Sequence, residues 1–206
     1  GVAIGDVNGD GRQDLFVARE SGPNRLFENG GGGVFHDVVR RDSLDLGEGA
    51  VGAAFLDVDN DGDLDLVTTA ANAAAGGDEL YFQRQPYLLP AANGLGLMQS
   101  SDGRGLSVGD VDGDGRVDLL VADAKRSRMY RNTMTQQSWL RVQLAGNGAN
   151  RWGIGARVEV WLDGTAVVDQ VYAALGYGSQ TQPVLHFGLS NRALVDSVVA
   201  WWPDGV

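Results

Sequence analysis

Residues 57–65 read Asp57-Val58-Asp59-Asn60-Asp61-Gly62-Asp63-Leu64-Asp65, and this acidic nonapeptide decides the fold because it recurs twice in the chain. The other copies are Asp6-Val7-Asn8-Gly9-Asp10-Gly11-Arg12-Gln13-Asp14 and Asp110-Val111-Asp112-Gly113-Asp114-Gly115-Arg116-Val117-Asp118. We call residues 6–14, 57–65 and 110–118 the first, second and third acidic loops. Oxygen-bearing side chains at positions 1, 3, 5 and 9, with glycine at position 6, are typical of a calcium loop. The sequence therefore predicts three calcium sites.

The predicted ligands are the side chains at positions 1, 3, 5 and 9 and the backbone carbonyl at position 7 of each loop. They are Asp6, Asn8, Asp10, Arg12 and Asp14 in the first loop, Asp57, Asp59, Asp61, Asp63 and Asp65 in the second, and Asp110, Asp112, Asp114, Arg116 and Asp118 in the third. The alternative is an Asp-rich turn, because Asp, Asn and Gly all favour turns. Three copies in one register would each hold three or four like charges, which repel one another unless a cation offsets them.

The flanks of the acidic loops predict strands, whereas an EF-hand loop ends with Glu at position 12 and lies between helices. Position 12 is Val17, Thr68 or Val121 here. The first Asp falls at residues 6, 57 and 110, and a period of about 50 residues with several short strands is typical of propeller blades. The predicted blade strands are 2–4, 15–17, 24–28, 34–39, 54–56, 64–69, 79–83, 106–108, 119–121 and 128–132.

A resemblance to a known family rests on these residues. The acidic loop between two apolar strands, followed by Asn24-Arg25-Leu26-Phe27-Glu28-Asn29-Gly30, resembles the FG-GAP or VCBS repeat of integrin-α-like β-propellers. The resemblance covers about residues 1–133. It implies propeller blades whose loops bind calcium.

From Trp139 onward the acidic loops stop, and apolar runs at 139–144, 156–162, 167–172, 184–189 and 195–202 predict a second all-β unit, a sandwich. Its phrases Gly153-Ile154-Gly155-Ala156-Arg157-Val158, Gly176-Tyr177-Gly178-Ser179-Gln180, His186-Phe187-Gly188-Leu189 and Trp202-Pro203-Asp204-Gly205 resemble the ASPIC/UnbV domain. We therefore predict an all-β fold with propeller blades at 1–133 and a C-terminal β-sandwich-like domain at 139–206, truncated at its C-terminus. Because closed propellers have four to eight blades, we expect upstream blades or a neighbouring subunit to complete this one.

Charge and composition narrow the function classes. The formal net charge is −11, and the loop positions 1, 3, 5 and 9 carry eleven carboxylates, so the acidity belongs to the predicted metal sites. This balance excludes a nucleic-acid footprint. No apolar run approaches the length of a membrane span, and no cysteine is present for a disulfide or a thiol site. Oxygen-only calcium loops suit the calcium concentration outside cells, so we expect an extracellular or cell-surface protein.

No catalytic constellation is recognisable, and we expect no enzyme activity. The two histidines, His36 and His186, lie far apart in sequence, so structural roles are favoured for both. The basic cluster 125–131 is either a solvated blade edge or a contact for an acidic partner. Tryptophans at positions 152, 161, 201 and 202 belong either to the core and domain interface or to a sugar-stacking platform.

The predicted function is calcium-stabilised adhesion or recognition, with a protein or glycan ligand at a surface. Two alternatives stay open. One is an accessory, non-catalytic part of a carbohydrate-active enzyme, because related architectures occur beside such enzymes. The other is a structural subunit of an extracellular assembly.

Overall fold

A computed structural model describes residues 1–42, 45–70, 77–84, 87–91, 97, 103–123, 126–174 and 178–204. Within these residues there are sixteen strands and one short helix, which confirms the all-β prediction. The first blade comprises β1 (Val2–Gly5), β2 (Asp14–Val17), β3 (Arg25–Gly31), β4 (Val34–Asp37) and α1 (Val38–Arg41). The second comprises β5 (Ala50–Leu56), β6 (Asp65–Ala70), β7 (Glu79–Arg84) and β8 (Tyr87–Pro90), and the third comprises β9 (Gly103–Gly109), β10 (Asp118–Asp123) and β11 (Arg128–Tyr130). The C-terminal unit comprises β12 (Ser138–Val142), β13 (Arg157–Leu162), β14 (Thr165–Gln170), β15 (Leu185–Ser190) and β16 (Ser197–Trp201).

Each blade is an antiparallel meander in which an acidic loop joins the first two strands. The strand orders are β1-β2-β3-β4, β5-β6-β7-β8 and, for the described part of the third blade, β9-β10-β11. The three loops close their hairpins in the same register, because Gly5 pairs with Asp14, Leu56 with Asp65 and Gly109 with Asp118. All three acidic loops consequently lie at the same end of their blades.

Neighbouring blades pack through their first strands: β1 contacts β5, and β5 contacts β9. Strand β5 shows why, because it is buried on both faces. Its residue Ala53 belongs to the core between the first and second blades, while Ala54 and Leu56 belong to the core between the second and third. Because Ala53 and Ala54 have small side chains, the neighbouring first strands can approach β5 closely. This arrangement of β1, β5 and β9 side by side confirms a partial propeller.

Two local details differ from the prediction. The strand predicted at 34–39 ends at Asp37, and the next four residues form α1. The physical reason is that Val38 and Val39 are both buried in the first core, which adjacent residues of an extended strand cannot both achieve from one face. Strand β8 has no counterpart among the predicted strands.

The turn between β3 and β4 agrees with the sequence, because its two residues, Gly32 and Gly33, both adopt the positive φ that a tight hairpin turn requires.

The C-terminal unit places the sheet β14-β13-β16 against the pair β12-β15. Its core alternates as a sandwich requires: Val158, Val160 and Leu162 of β13 are buried, and Leu185 and Phe187 of β15 pack in the same cluster. In the residues that the structure describes, no strand pairs between 1–130 and 138–201. The boundaries at 133 and 139 stay a prediction.

Candidate metal centre

The aspartate at position 9 of each acidic loop is a buried anchor for its blade. One of its oxygens accepts the backbone N–H at position 2, and the other accepts a backbone N–H from the end of the third strand or the residues just after it. The donors are Val7 (3.0 Å) and Asn29 (2.8 Å) to Asp14, Val58 (3.0 Å) and Gln83 (2.8 Å) to Asp65, and Val111 (3.1 Å) and Asn132 (2.8 Å) to Asp118. These three side chains therefore have a structural role in the blade even before any metal is considered.

The aspartate at position 1 shapes the loop by accepting the backbone N–H groups at positions 5 and 6. In the second loop, Asp61 and Gly62 donate to the two oxygens of Asp57 over 3.1 and 2.9 Å. Asp6 and Asp110 accept the matching pairs, at 3.0 and 2.7 Å in the first loop and at 3.1 and 3.0 Å in the third. Gly11, Gly62 and Gly115 at position 6 all have φ between 82° and 99°, so the predicted glycine bend is present in each loop.

Two loops bring three carboxylates close enough to share one cation. Single oxygens of Asp57, Asp59 and Asp61 lie within 4.8 Å of one another, and so do single oxygens of Asp110, Asp112 and Asp118. In the second loop, the Asp59 Oδ1 atom is buried and has no hydrogen-bond partner among the described residues. A set of carboxylate oxygens with one unsatisfied member fits a hard divalent cation such as calcium. The first loop carries Asn8 at position 3, so at positions 1, 3, 5 and 9 it has one carboxylate fewer than the second and third loops.

Arginines offset part of the loop charge, which the sequence argument did not include. Arg84 bridges Asp59 (2.8 Å) and Asp61 (3.0 Å) in the second loop. In the third loop Arg131 contacts Asp112 (2.6 Å) and Asp114 (3.1 Å). Arg12 and Arg116, predicted to contribute only a backbone carbonyl at position 7, direct their guanidinium groups to Asp10 and Asp114, respectively. These arginines already offset part of the repulsion between the loop carboxylates without calcium. The Oδ1 atom of Asp59, in contrast, has no partner among the described residues and is the stronger indication of a cation.

Burial raises the pKa of several loop carboxyl groups. The pKa of Asp14 rises to about 6, that of Asp57 to about 7 and that of Asp65 to about 8, in each case chiefly because the ionised form is desolvated. A bound cation would favour the ionised form and offset this cost.

The C-terminal unit and the residues just before it contact the end of the blades that carries the acidic loops. Tyr172 donates to Gln13 in the first loop over 2.7 Å, and Ser190 donates its backbone N–H to the Asn60 carbonyl in the second over 2.7 Å. Gln136, just before β12, donates to the Asp114 carbonyl in the third loop over 2.9 Å. All three loops thus contact residues beyond the blades in the same chain.

A cleft of about 500 Å³ remains beside the loops, between the blades and the C-terminal unit. Leu120 and Met129 of the third blade give it an apolar wall, and both side chains are about half exposed. Arg141, Asp169 and His186 of the C-terminal unit add charged and polar groups. The cleft combines apolar and ionic surface from both units.

The remaining candidate residues do not assemble into a second site in the described part of the chain. His36 is exposed on β4, whereas His186 is partly buried on β15 and stacks on Trp139 with ring centroids 5.8 Å apart, so the histidines are not brought together. In the basic cluster, Arg128 pairs with Asp123 (3.2 Å) and Arg131 with the third loop, and Lys125 lies outside the described residues. Trp152 and Trp201 are more than half exposed, while Trp161 and Trp202 are partly buried, so none of these four is a core residue.

Sequence reasoning missed the residues that join the loops to their surroundings. Gln83 donates to the Val7 carbonyl of the preceding blade (2.5 Å), and Asn132 donates in the same way to the Val58 carbonyl (2.7 Å). The sequence does carry a signal for these contacts, because an amide side chain, Gln83 or Asn132, stands at the same place in successive repeats.

Comparisons with known proteins agree with both resemblances. Residues 6–68 match the family model described as FG-GAP-like repeat, and residues 146–206 match the model described as ASPIC and UnbV. The curated relatives include cartilage acidic protein 1 of Xenopus tropicalis, Mus musculus and Homo sapiens, at 25%, 27% and 26% identity over 271 residues. The alignments cover 100% of this chain and 41–42% of the relatives, so the chain spans about two fifths of their length. The recognition of an FG-GAP-type propeller segment followed by an ASPIC/UnbV segment is thereby confirmed.

Proposed function

We propose that this chain is the calcium-stabilised core of an extracellular or cell-surface adhesion or recognition protein, and that its calcium is structural. The observation that carries the proposal is the second acidic loop, where three carboxylates converge and a buried oxygen of Asp59 has no partner among the described residues. We further propose three calcium ions, one for each loop, with the ligands predicted from the sequence and with residues 1–133 and 139–206 as two units.

Structural rather than catalytic calcium is supported by the way the loops are built. The position-1 and position-9 carboxylates are bound to backbone N–H groups within each blade, as in Asp57 and Asp65. A cation bound there would neutralise the charge and rigidify the strands on both sides.

The ligand surface proposed for a protein or glycan is the cleft beside the loops, because it combines apolar and charged groups. The cleft offers apolar surface at Leu120 and Met129 and a charged guanidinium at Arg141. The described part of the chain contains no helix that is long and apolar enough to cross a membrane. The name of these relatives, cartilage acidic protein 1, fits an extracellular location for this chain as well.

Calcium removal tests the proposal. The protein is dialysed against EGTA, and calcium is then restored while thermal unfolding is followed. We expect the unfolding temperature to fall without calcium and to recover with it, because a ligand that binds only the folded state stabilises that state. Asp59→Ala should lose the part of this response that the second loop contributes, whereas Asp163→Asn, at an exposed aspartate outside the loops, should keep all of it. An unchanged unfolding temperature together with no calcium in elemental analysis refutes the proposal.

A further inference from the structure

Asn60 occupies an unusual place in the second acidic loop. It stands at position 4, where the first and third loops have Gly9 and Gly113. All three residues adopt positive φ, at 58° for Asn60 and at 73° and 77° for the two glycines. The left-handed region costs a residue with a Cβ more than it costs glycine, although Asn tolerates it better than most. The loop conformation itself therefore does not call for Asn.

The side chain of Asn60 joins three parts of the molecule, and the residue is only 1% exposed. Its Nδ2 donates to the Gly115 carbonyl of the third acidic loop over 2.8 Å. Its Oδ1 lies 2.7 Å from His186 Nε2 on β15, so the ring nitrogen donates to it. Its backbone carbonyl accepts the N–H of Ser190 over 2.7 Å. One residue thus links the second loop to the third loop and to the C-terminal unit.

The C-terminal unit packs so closely against the second and third loops that two glycines at this interface have no room for a Cβ atom. A Cβ on Gly188 would meet Asp57 Oδ2 and would lie 2.5 Å from the backbone carbon of Asn60. A Cβ on Gly115 would meet the ring of Trp139, which itself stacks on His186. Glycine in both places lets β15 and β12 approach the loop backbones directly. The strand therefore contacts Asp57, a predicted calcium ligand, as well as the residue next to Asp59.

We propose that Asn60 is the positioning residue that fixes the C-terminal unit on the second and third acidic loops, and that docking of this unit and calcium binding at these two loops stabilise each other. The second half rests on the proposed function. Its physical basis is linkage: docking requires the loop shape that calcium orders, so each event raises the affinity of the other by the same factor. Calcium in the loops then strengthens the contact between the blades and the C-terminal unit.

Asn60→Gly is the sharpest test, because glycine suits the backbone angle and removes only the side chain. In the complete protein, we expect faster hydrogen exchange at the backbone N–H of Ser190 and of Leu106, which donates to Ser179 Oγ across the same interface over 2.7 Å. Calcium affinity at the second and third loops should fall about fivefold or more, as expected for coupled sites. The matched control is Gly9→Asn, which places Asn at the same position of the first loop, where a Cβ meets nothing within 4 Å. It should leave exchange at both amides unchanged.

Gly188→Ala is a second variant that acts from the C-terminal unit and leaves the loop sequence intact. Its methyl group should separate β15 from the second loop and produce the same exchange pattern. Unchanged exchange at Ser190 and Leu106 in Asn60→Gly would overturn the role of Asn60, and the response of Gly188→Ala shows that exchange at these amides reports the docking of the C-terminal unit. Faster exchange with unaltered calcium affinity would overturn the linkage. If the wild-type protein binds no calcium, the proposed function and the linkage fail together, while exchange in Asn60→Gly still decides whether Asn60 positions the C-terminal unit.

Discussion

Asp78 illustrates how one buried carboxylate adjusts stability. It lies just before β7, and only 6% of its surface is exposed. Its Oδ1 accepts the N–H of Ala70 over 3.2 Å, while its Oδ2 is buried without a hydrogen-bond partner among the described residues. Burial raises the pKa of Asp78 to about 6. Asn24 stands at the same place in the first blade, where its Oδ1 and Nδ2 are both hydrogen-bonded.

We predict that Asp78→Asn stabilises the protein at pH 7–8 by on the order of 1 kcal/mol, after allowance for solvent screening. The folded-state pKa lies above the unfolded value near 3.8, so the folded protein binds this proton more tightly. The wild-type protein therefore loses this contribution as the pH rises from about 4 to about 6, and the variant does not.

Chemical denaturation at several pH values, at fixed calcium, measures this difference. The advantage of the variant should grow across that pH window and then level off. Asp163→Asn, at an exposed aspartate paired with Arg192, is the control and should show no such trend. A variant that is less stable than the wild type at pH 8 would show that the ionised carboxylate of Asp78 is stabilising.

At the scale of the element, the three acidic loops share a backbone but differ in charge. The second loop has five aspartates and one bridging arginine, Arg84. The third has four aspartates and two arginines, and the first has three aspartates and Arg12. Because the affinity of a calcium loop depends partly on its ligand charge, we predict that the second loop fills first in a titration and that the first loop is weaker than the second.

Asn8→Asp tests the charge argument within one loop. At about 4 Å in water, one added negative charge attracts a divalent ion by roughly 2 kcal/mol, and repulsion from Asp6 and Asp10 cancels part of this. We expect the affinity of the first loop to rise on the order of threefold to tenfold. Site-resolved calcium titration by NMR measures it, and filling of the first loop before the second in the wild type would contradict the ranking.

At the scale of the whole molecule, the packing of the two units against each other argues against catalysis by the histidines. His186 is held between Asn60 and Trp139, and His36 is exposed on the first blade. We predict no hydrolase activity of the wild-type protein on a panel of glycan substrates. Turnover by the wild-type protein that His36→Ala or His186→Ala abolishes would favour the carbohydrate-active alternative instead.

The sequence by itself determined the repeating part of this protein. The period of about 50 residues placed the blades, and the spacing of Asp and Gly placed the loops in one register, because turn and strand preferences act over a few neighbouring residues. The boundary predicted near residue 139 stays a prediction. The sequence did not predict that β4 ends at Asp37, because the burial of Val38 and Val39 depends on the core against which they pack.

Only the tertiary structure decided what the loops touch. Asn60 meets His186 across 126 residues of sequence, and Gln83 meets Val7 across 76, so no local pattern reports these pairs. The same holds for Arg84 and Arg131, which look like surface charges in the sequence but pair with loop carboxylates in the structure. Contacts of this kind depend on the shape of two packed units, and the physical reason is that hydrogen bonds and ion pairs act only where chain folding brings the atoms within reach.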